Sequence, residues 1–272
     1  MVRALILRAA GINCDFETEY AFQWAGAEAE RIHINRILED RRKLHDYHIM
    51  VIPGGFSYGD DLSAGRILGN QIRANLLDDI RAFVREGKLV LGICNGFQVL
   101  VKSGLLPGFS EEALQQVTLG PNDSNKYEDR WVYVKICSQK SEFIRGSGII
   151  YLPVAHAEGK FLVDGEETLR RLRENDQIVL RYVDEQGRPA VYPCNPNGSI
   201  EDIAGICDPT GRILGLMPHP ERHMRPENHP RWTREGPKEQ GDGCAFFENA
   251  VAYIRRTFDL PAPEAATGGR AP

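Results

Sequence analysis

Residues 88–104, KLVLGICNGFQVLVKSG, run from an apolar, β-branched stretch into the small polar knot Cys94-Asn95-Gly96 and then into a helical pattern. A strand that turns at once into a helix belongs to an α/β sheet, where ligands bind outside the carboxyl ends of the strands. Cys94 stands on that corner. Gly92 and Gly96 are small enough to let the chain turn beside it without clash. The helix that follows offers free backbone N–H groups and positive potential, which favour thiolate over thiol. On this stretch alone, a small core residue at a strand end explains Cys94 as well as a nucleophile does.

Working outward, the same order repeats. ALILRAA (4–10) leads to NCDFETEYAFQWAGA (13–27), a helix with Asn13 as its expected N-cap and acids in the first turns. EAERIHI (28–34) leads to NRILEDRRKLHDY (35–47), and HIMVIPGG (48–55) leads through a glycine-rich turn to one long helix over 66–87. Repeated strand then helix implies right-handed crossovers and a mostly parallel central sheet with helices on both faces. The second half is richer in strands: RWVYVKIC (130–137), GIIYLPVAH (148–156), IVLRYVD (178–184), DIAGICD (202–208) and RILGLMPHP (212–220). Only 166–175 and 244–258 read clearly as helices there. The expected fold is α/β, a single domain over 1–258 whose parallel sheet carries an antiparallel or mixed extension. The Pro, Ala and Gly rich tail 259–272 is expected to be disordered.

Composition excludes several function classes. The chain of 272 residues is long enough for a sizeable core. A formal net charge of -5 argues against nucleic acid as a partner, because phosphate binding draws on clustered Lys and Arg. The short basic runs at 41–43 and 169–173 have acids nearby and read as solvated helix faces. The N-terminal apolar stretch is too short for a secretion signal and no run approaches a membrane span, so a soluble, cytoplasmic protein is expected. Six cysteines without a C-x-x-C pair suggest neither a zinc ribbon nor a disulfide scaffold.

A cysteine nucleophile needs a base, and the base an orienting group. GLMPHPER (215–222) supplies His219 between two prolines and Glu221 two residues on. Prolines bias this segment to extended geometry, where positions i and i+2 share a side, so Glu221 could fix one ring nitrogen while the other faces Cys94. A proline-rich surface turn is the alternative. His219 and His223 are four apart, but Pro220 resists a helix there and a metal site is not expected. The other histidines read as core or surface residues, His156 being the least certain. In VIPGGFSYGDD (51–61), a glycine turn at a strand end can aim backbone donors at an oxyanion; Gly55 or Phe56 N–H with Asn95 N–H would make such a pair. No phosphate-loop motif occurs.

With Cys94, the glycine turn and His219/Glu221 in hand, the sequence resembles the class I (triad-type) glutamine amidotransferases. More narrowly, it is similar to the glutaminase subunits of phosphoribosylformylglycinamidine synthases of purine biosynthesis. The resemblance rests on GINCDFETEYAF (11–22), PGGFSYGDDLSAG (53–65), GICNGFQVL (92–100), LPVAHAEGKF (152–161), residues 194–222 and GDGCAFFENAV (241–251). It implies Cys94 as nucleophile, His219 as general base and acid, and Glu221 as the residue that orients the histidine. Gly54, Gly55 and Phe56 match the oxyanion strand, and Gln98 a position that helps hold substrate glutamine. Pro121 departs from the arginine that relatives often carry before an Asn-x-Ser segment, which leaves the role of 119–134 open, as is that of the charged stretch 224–240.

The resemblance further implies glutamine as substrate, no cofactor or metal on this chain, and ATP with Mg2+ on a large synthetase partner, joined by a third small subunit. Two other readings stay open at this point: a class I amidotransferase serving another acceptor, and a noncatalytic α/β binding module with a reactive cysteine.

Overall fold

The computed structural model describes residues 1–236 and 238–261; most of the tail, 262–272, lies outside them. In chain order the elements are β1 (Arg3–Arg8), α1 (Asp15–Trp24), β2 (Glu28–His33), α2 (Ile34–Glu39), β3 (Ile49–Ile52), α3 (Arg66–Asn75), α4 (Leu77–Arg85), β4 (Leu89–Ile93) and α5 (Asn95–Ser103). The second half adds β5 (Val117–Gly120), β6 (Glu128–Ile136), β7 (Gly148–His156), β8 (Lys160–Val163), α6 (Glu166–Glu174), β9 (Ile178–Val183), β10 (Ile203–Cys207), β11 (Ile213–Leu216), α7 (Trp232–Glu235) and α8 (Cys244–Thr257).

A nine-stranded sheet runs in the order β2-β1-β3-β4-β11-β10-β9-β6-β7. The pairings from β2 to β11 are all parallel, and those from β11 outward to β7 are all antiparallel. This is the expected parallel sheet with its antiparallel extension. Because β1 connects to β2 on one side while β3 connects to β4 on the other, right-handed crossovers put α1 and the α3–α4 pair on opposite faces. Packing agrees: α8 joins α1, and α5 joins α3. β3, β4 and β11 are buried along their whole length, as unbroken apolar runs covered on both faces should be.

β4 lies between β3 and β11 and parallel to both, with Gly92 registered against Ile52 and Gly215. The chain leaving each strand at its carboxyl end therefore emerges at one place. Those three exits carry the glycine turn 53–56, Cys94 and His219.

Two local expectations are corrected, and one element is additional. Asn13 does not cap α1; Cys14 occupies the N-cap position with no side-chain capping bond, and its carbonyl accepts from Thr18 N and Thr18 Oγ1 at 3.2 and 2.6 Å. The helix expected over 66–87 is two, broken at Leu76 (φ -127, ψ 0). A straight helix of that length would be about 30 Å long, and the bend lets Leu68 and Ile72 of α3 and Ile80 and Phe83 of α4 all remain in the core. The small antiparallel ribbon of β5 and β8 was not foreseen, since each strand has four residues.

Candidate active site

Cys94 is the strained residue of its corner. Its backbone sits at φ 52, ψ -105, a conformation that costs a non-glycine residue of order 1–3 kcal/mol and persists only where its surroundings impose it. Cys94 N–H donates to Leu216 O at 2.8 Å, which ties the corner to the end of β11. The flanking glycines serve close packing rather than the turn itself. A Cβ on Gly96 would lie 1.8 Å from Ile52 O, and one on Gly92 would lie 2.6 Å from Gly96 O. Their absence allows α5 to start directly against β3. The Cys94 thiol is buried, with Sγ 3.6 Å from Ala155 O at the end of β7.

His219 leaves β11 with its N–H donating to Pro153 O at 2.8 Å. The segment after it is not extended as the prolines suggested. Pro220–Arg222 form a 3-10 turn, and it is this turn that swings Glu221 back, placing Oε1 2.6 Å from His219 Nδ1 with both side chains buried. Burial alone would depress the imidazole, but the Glu221 carboxylate, then Cys94 and Cys14, hold it well above the ordinary histidine value. Among the described residues, His219 Nε2 and Glu221 Oε2 have no hydrogen-bond partner although both are buried. A nitrogen left unpaired in this way is available to a substrate or to a thiol proton.

The turn after β3 packs against both groups. A Cβ on Gly54 would lie 2.7 Å from His219 Cε1, so only glycine admits the ring there. Gly55 at φ 145 would bring a Cβ to 2.8 Å from Asn13 N and Gly11 O. Phe56 N–H is committed to Gly11 O at 2.9 Å, which removes it as a donor. The bridge between Ile12 and Gly55 bonds through flanking residues and leaves Gly55 N–H out of the ladder. Gly55 N–H and Asn95 N–H, the latter in the first turn of α5, are thus the available pair.

Gln98 is buried and engaged at both ends of its amide. Nε2 donates to Glu158 O at 2.5 Å and Oε1 accepts from Asn95 Nδ2 at 2.9 Å. Asn95 Oδ1 in turn accepts from Ser57 N–H at 3.1 Å. These bonds fasten the glycine turn, α5 and the 155–159 loop to one another.

Several contributors were not legible beforehand. Asn122 Nδ2 donates to His156 O at 2.8 Å and to Lys126 O at 2.9 Å, while its Oδ1 accepts from Gly159 N–H at 3.1 Å and faces His156 Nδ1 at 3.1 Å. The open stretch 119–134 therefore anchors the loop that supplies Ala155 O and Glu158 O. Burial, and after it His219, push His156 down to about 3, so it is a neutral element of this network. Within the described part of the stretch 224–240, His229 packs on Trp131 and Tyr151 of the outer strands and Arg231 donates to Tyr133 OH at 2.7 Å. At the site mouth, the half-exposed rings of Phe56 and Tyr127 lie 6.3 Å apart.

His223 does not pair with His219; its Nδ1 lies 2.8 Å from Tyr151 O. The residue that does join the catalytic-type pair is Cys14. Only its place in the N-terminal motif hinted at this, since more than 200 positions separate it from His219 in the chain.

A cysteine on a strained strand-to-helix corner, a buried histidine held by a carboxylate, and two free backbone donors make up the constellation for acyl transfer through a thiol nucleophile on an α/β sheet. The chain belongs to the CobB/CobQ-like glutamine amidotransferase domain family, whose model matches residues 1–254. Among its relatives is the phosphoribosylformylglycinamidine synthase subunit PurQ of Dehalococcoides mccartyi, 49% identical over 94% of this chain and 98% of that one. The same subunit of Methanococcus maripaludis is 45% identical over 93% and 98%. A chain of the solved PurLQS structure from Thermotoga maritima superposes with a TM-score of 0.70 at 31% identity, covering 93% of this chain and 99% of that one.

Proposed function

We propose that this chain is the glutaminase subunit of a phosphoribosylformylglycinamidine synthase, with residues 1–258 as its amidotransferase domain. The observation that carries the mechanism is the buried His219–Glu221 pair, 2.6 Å apart, emerging from β11 beside the Cys94 corner of β4.

Cys94 thiolate attacks the side-chain carbonyl carbon of glutamine. The carbonyl π electrons move to oxygen, and Gly55 N–H and Asn95 N–H receive the oxyanion, each such donor contributing a few kcal/mol in comparable enzymes. The His219 imidazolium, oriented by Glu221, protonates the departing nitrogen; ammonia leaves and a glutamyl thioester remains on Cys94. His219, now neutral, takes a proton from water as it attacks the thioester. Collapse releases glutamate and restores the thiolate. Gln98 and Asn95 act by fixing the loops around the nucleophile.

Ammonia released to bulk water would become ammonium, which is not nucleophilic, so it passes directly to a partner. That partner is a large ATP-dependent synthetase carrying ATP and Mg2+ and converting formylglycinamide ribonucleotide to its amidine, with a third small subunit completing the assembly. The similarity to a chain of the PurLQS structure supports this arrangement. The chain itself needs no cofactor for the thiol chemistry, and it acts in the cytoplasm with its partner.

The test is glutamine hydrolysis by wild type and Cys94→Ala, each alone and mixed with the large subunit, nucleotide and acceptor. Hydrolysis that rises in the complex and vanishes in Cys94→Ala is expected. Equal hydrolysis by Cys94→Ala overturns the nucleophile, and coupling only to a different synthetase and acceptor overturns the named pathway.

A further inference from the structure

Cys14 makes or breaks no bond in the mechanism above, yet its thiol stands against the His219–Glu221 pair. One ligand atom from each of Cys14, His219 and Glu221 lies within 4.8 Å of the other two. All three residues are buried, at 1%, 1% and 3% exposure. The cause is local. Cys14 N–H donates to Gly54 O at 3.2 Å, and because Gly54 has no Cβ, the Cys14 thiol and the His219 ring converge on the space a side chain would have filled; that Cβ would be 3.1 Å from Sγ and 3.4 Å from Nδ1.

We propose that Cys14, His219 and Glu221 form a binding site for a thiophilic divalent cation of the zinc class, and that the bound ion holds the enzyme inactive by occupying His219 and Glu221. The binding clause rests on geometry alone; the inhibitory clause rests on the catalytic reading of those two residues.

A sulfur, an imidazole nitrogen and a carboxylate oxygen suit zinc or cadmium and not magnesium or calcium, which take oxygen ligands. Tetrahedral zinc with bonds of about 2.0–2.3 Å sets its ligand atoms roughly 3.3–3.6 Å apart, so the cluster closes with side-chain shifts on the order of 1 Å. Glu221 Oε2 is buried and unpaired among the described residues, an acceptor with nothing to accept. One cation opposes the site: Arg222 Nη2 donates to Cys14 Sγ at 3.1 Å. Its side chain is 37% exposed and already lies 3.5 Å from Glu17, so it can leave the sulfur and keep that carboxylate. On binding, the Cys14 thiol proton and any proton on the coordinating nitrogen pass to solvent, and the ion takes the place of the Nδ1–Glu221 bond.

The site competes with a more ordinary possibility, an ion bridging Cys94 and His219. Binding is therefore measured first on the full chain carrying Cys94→Ala, by titration of Zn2+ against a chromophoric chelator and of Cd2+ by its thiolate charge-transfer absorption. One ion per chain with that absorption band is expected. Adding Cys14→Ser, with Cys14→Ala as a second variant, should remove the band and weaken zinc by about tenfold or more. Thermal melts establish that each variant is folded. With Cys94 intact and the synthetase partner present, zinc inhibition is read for each protein as hydrolysis with zinc relative to its own zinc-free rate, and on that scale Cys14→Ser should resist zinc by the same factor as its binding loss.

No ion bound by Cys94→Ala, or equal binding after Cys14 is replaced, overturns the site. Binding that depends on Cys14 while zinc leaves hydrolysis unchanged overturns the inhibitory clause and, with it, the catalytic reading of His219 and Glu221.

Discussion

His219 Nδ1 and Glu221 Oε1 lie 2.6 Å apart across a single 3-10 turn, and both side chains are sealed from solvent. Burial opposes a charged imidazole, so the charge on His219 depends on Glu221. Glu221→Gln keeps the shape but removes that charge. We expect kcat to fall roughly 100- to 10,000-fold, and the alkaline limb of the pH profile, which reports loss of the imidazolium proton, to move to lower pH. A raised histidine stabilises the fold fully below the ordinary histidine value and loses that contribution as pH climbs through the raised one. A pH–rate profile of the variant in the complex checks this. An unmoved alkaline limb would mean that Glu221 does not set the charge of His219.

Gly54 separates geometry from stability. Its missing Cβ is what admits the His219 ring at 2.7 Å. Gly54→Ala should displace the imidazole by a few tenths of an ångström or more and lower kcat about 100-fold, since displacements near 1 Å carry costs of that order. Steady-state kinetics beside a thermal melt distinguishes the two effects. Unchanged kcat would show that the ring position is not critical.

Gly243 packs behind the turn that carries Glu221. Gly241 N–H donates to Met224 O at 3.0 Å and Gly243 N–H to His223 O at 2.9 Å, so the start of α8 braces the turn that carries Glu221. A Cβ on Gly243 would lie 1.9 Å from Pro220 O, a backbone atom that can give way only by moving the turn. Gly243→Ala is expected to cost about 1–3 kcal/mol of stability and to reduce kcat as well. Denaturant melts and kinetics on the same preparation test whether the two losses come together.

Much of this arrangement could be read from sequence, for a physical reason. Cys94, His219 and Glu221 follow strand ends whose apolar runs are continuous, and a parallel sheet brings such ends together. Cys14 could not be assigned, because its approach depends on Gly54 lacking a side chain, and no periodicity records that. Phe56 N–H looked available until the bond to Gly11 O appeared, a pairing between loops far apart in sequence. The break at Leu76 was hidden because both α3 and α4 keep apolar residues at helical spacing. Pro218 and Pro220 suggested an extended chain, yet proline also opens helical turns, and Pro220 begins the 3-10 turn.

His156 ties stability to acid. Burial and the neighbouring His219 keep it neutral down to about 3. Above the ordinary histidine value, folded and unfolded chains both hold it neutral; below that value the unfolded chain takes up a proton that the folded one refuses. Stability should therefore fall with falling pH from about 6.5 towards 3, by up to about 1.4 kcal/mol per pH unit from this group. His156→Gln should lower stability at pH 7.5, through its bonds to Asn122, and flatten this slope. Denaturant melts at several pH values, compared as wild type minus variant, would show a constant difference if His156 were not responsible.

The proposed mechanism requires that Cys94, and not Cys14, attacks glutamine. The direct measurement is peptide mapping by mass spectrometry after treatment with a diazoketone analogue of glutamine, with and without glutamine present. One adduct is expected, on Cys94, suppressed by glutamine and absent from Cys94→Ala. An adduct on Cys14, or one that persists in Cys94→Ala, would contradict it.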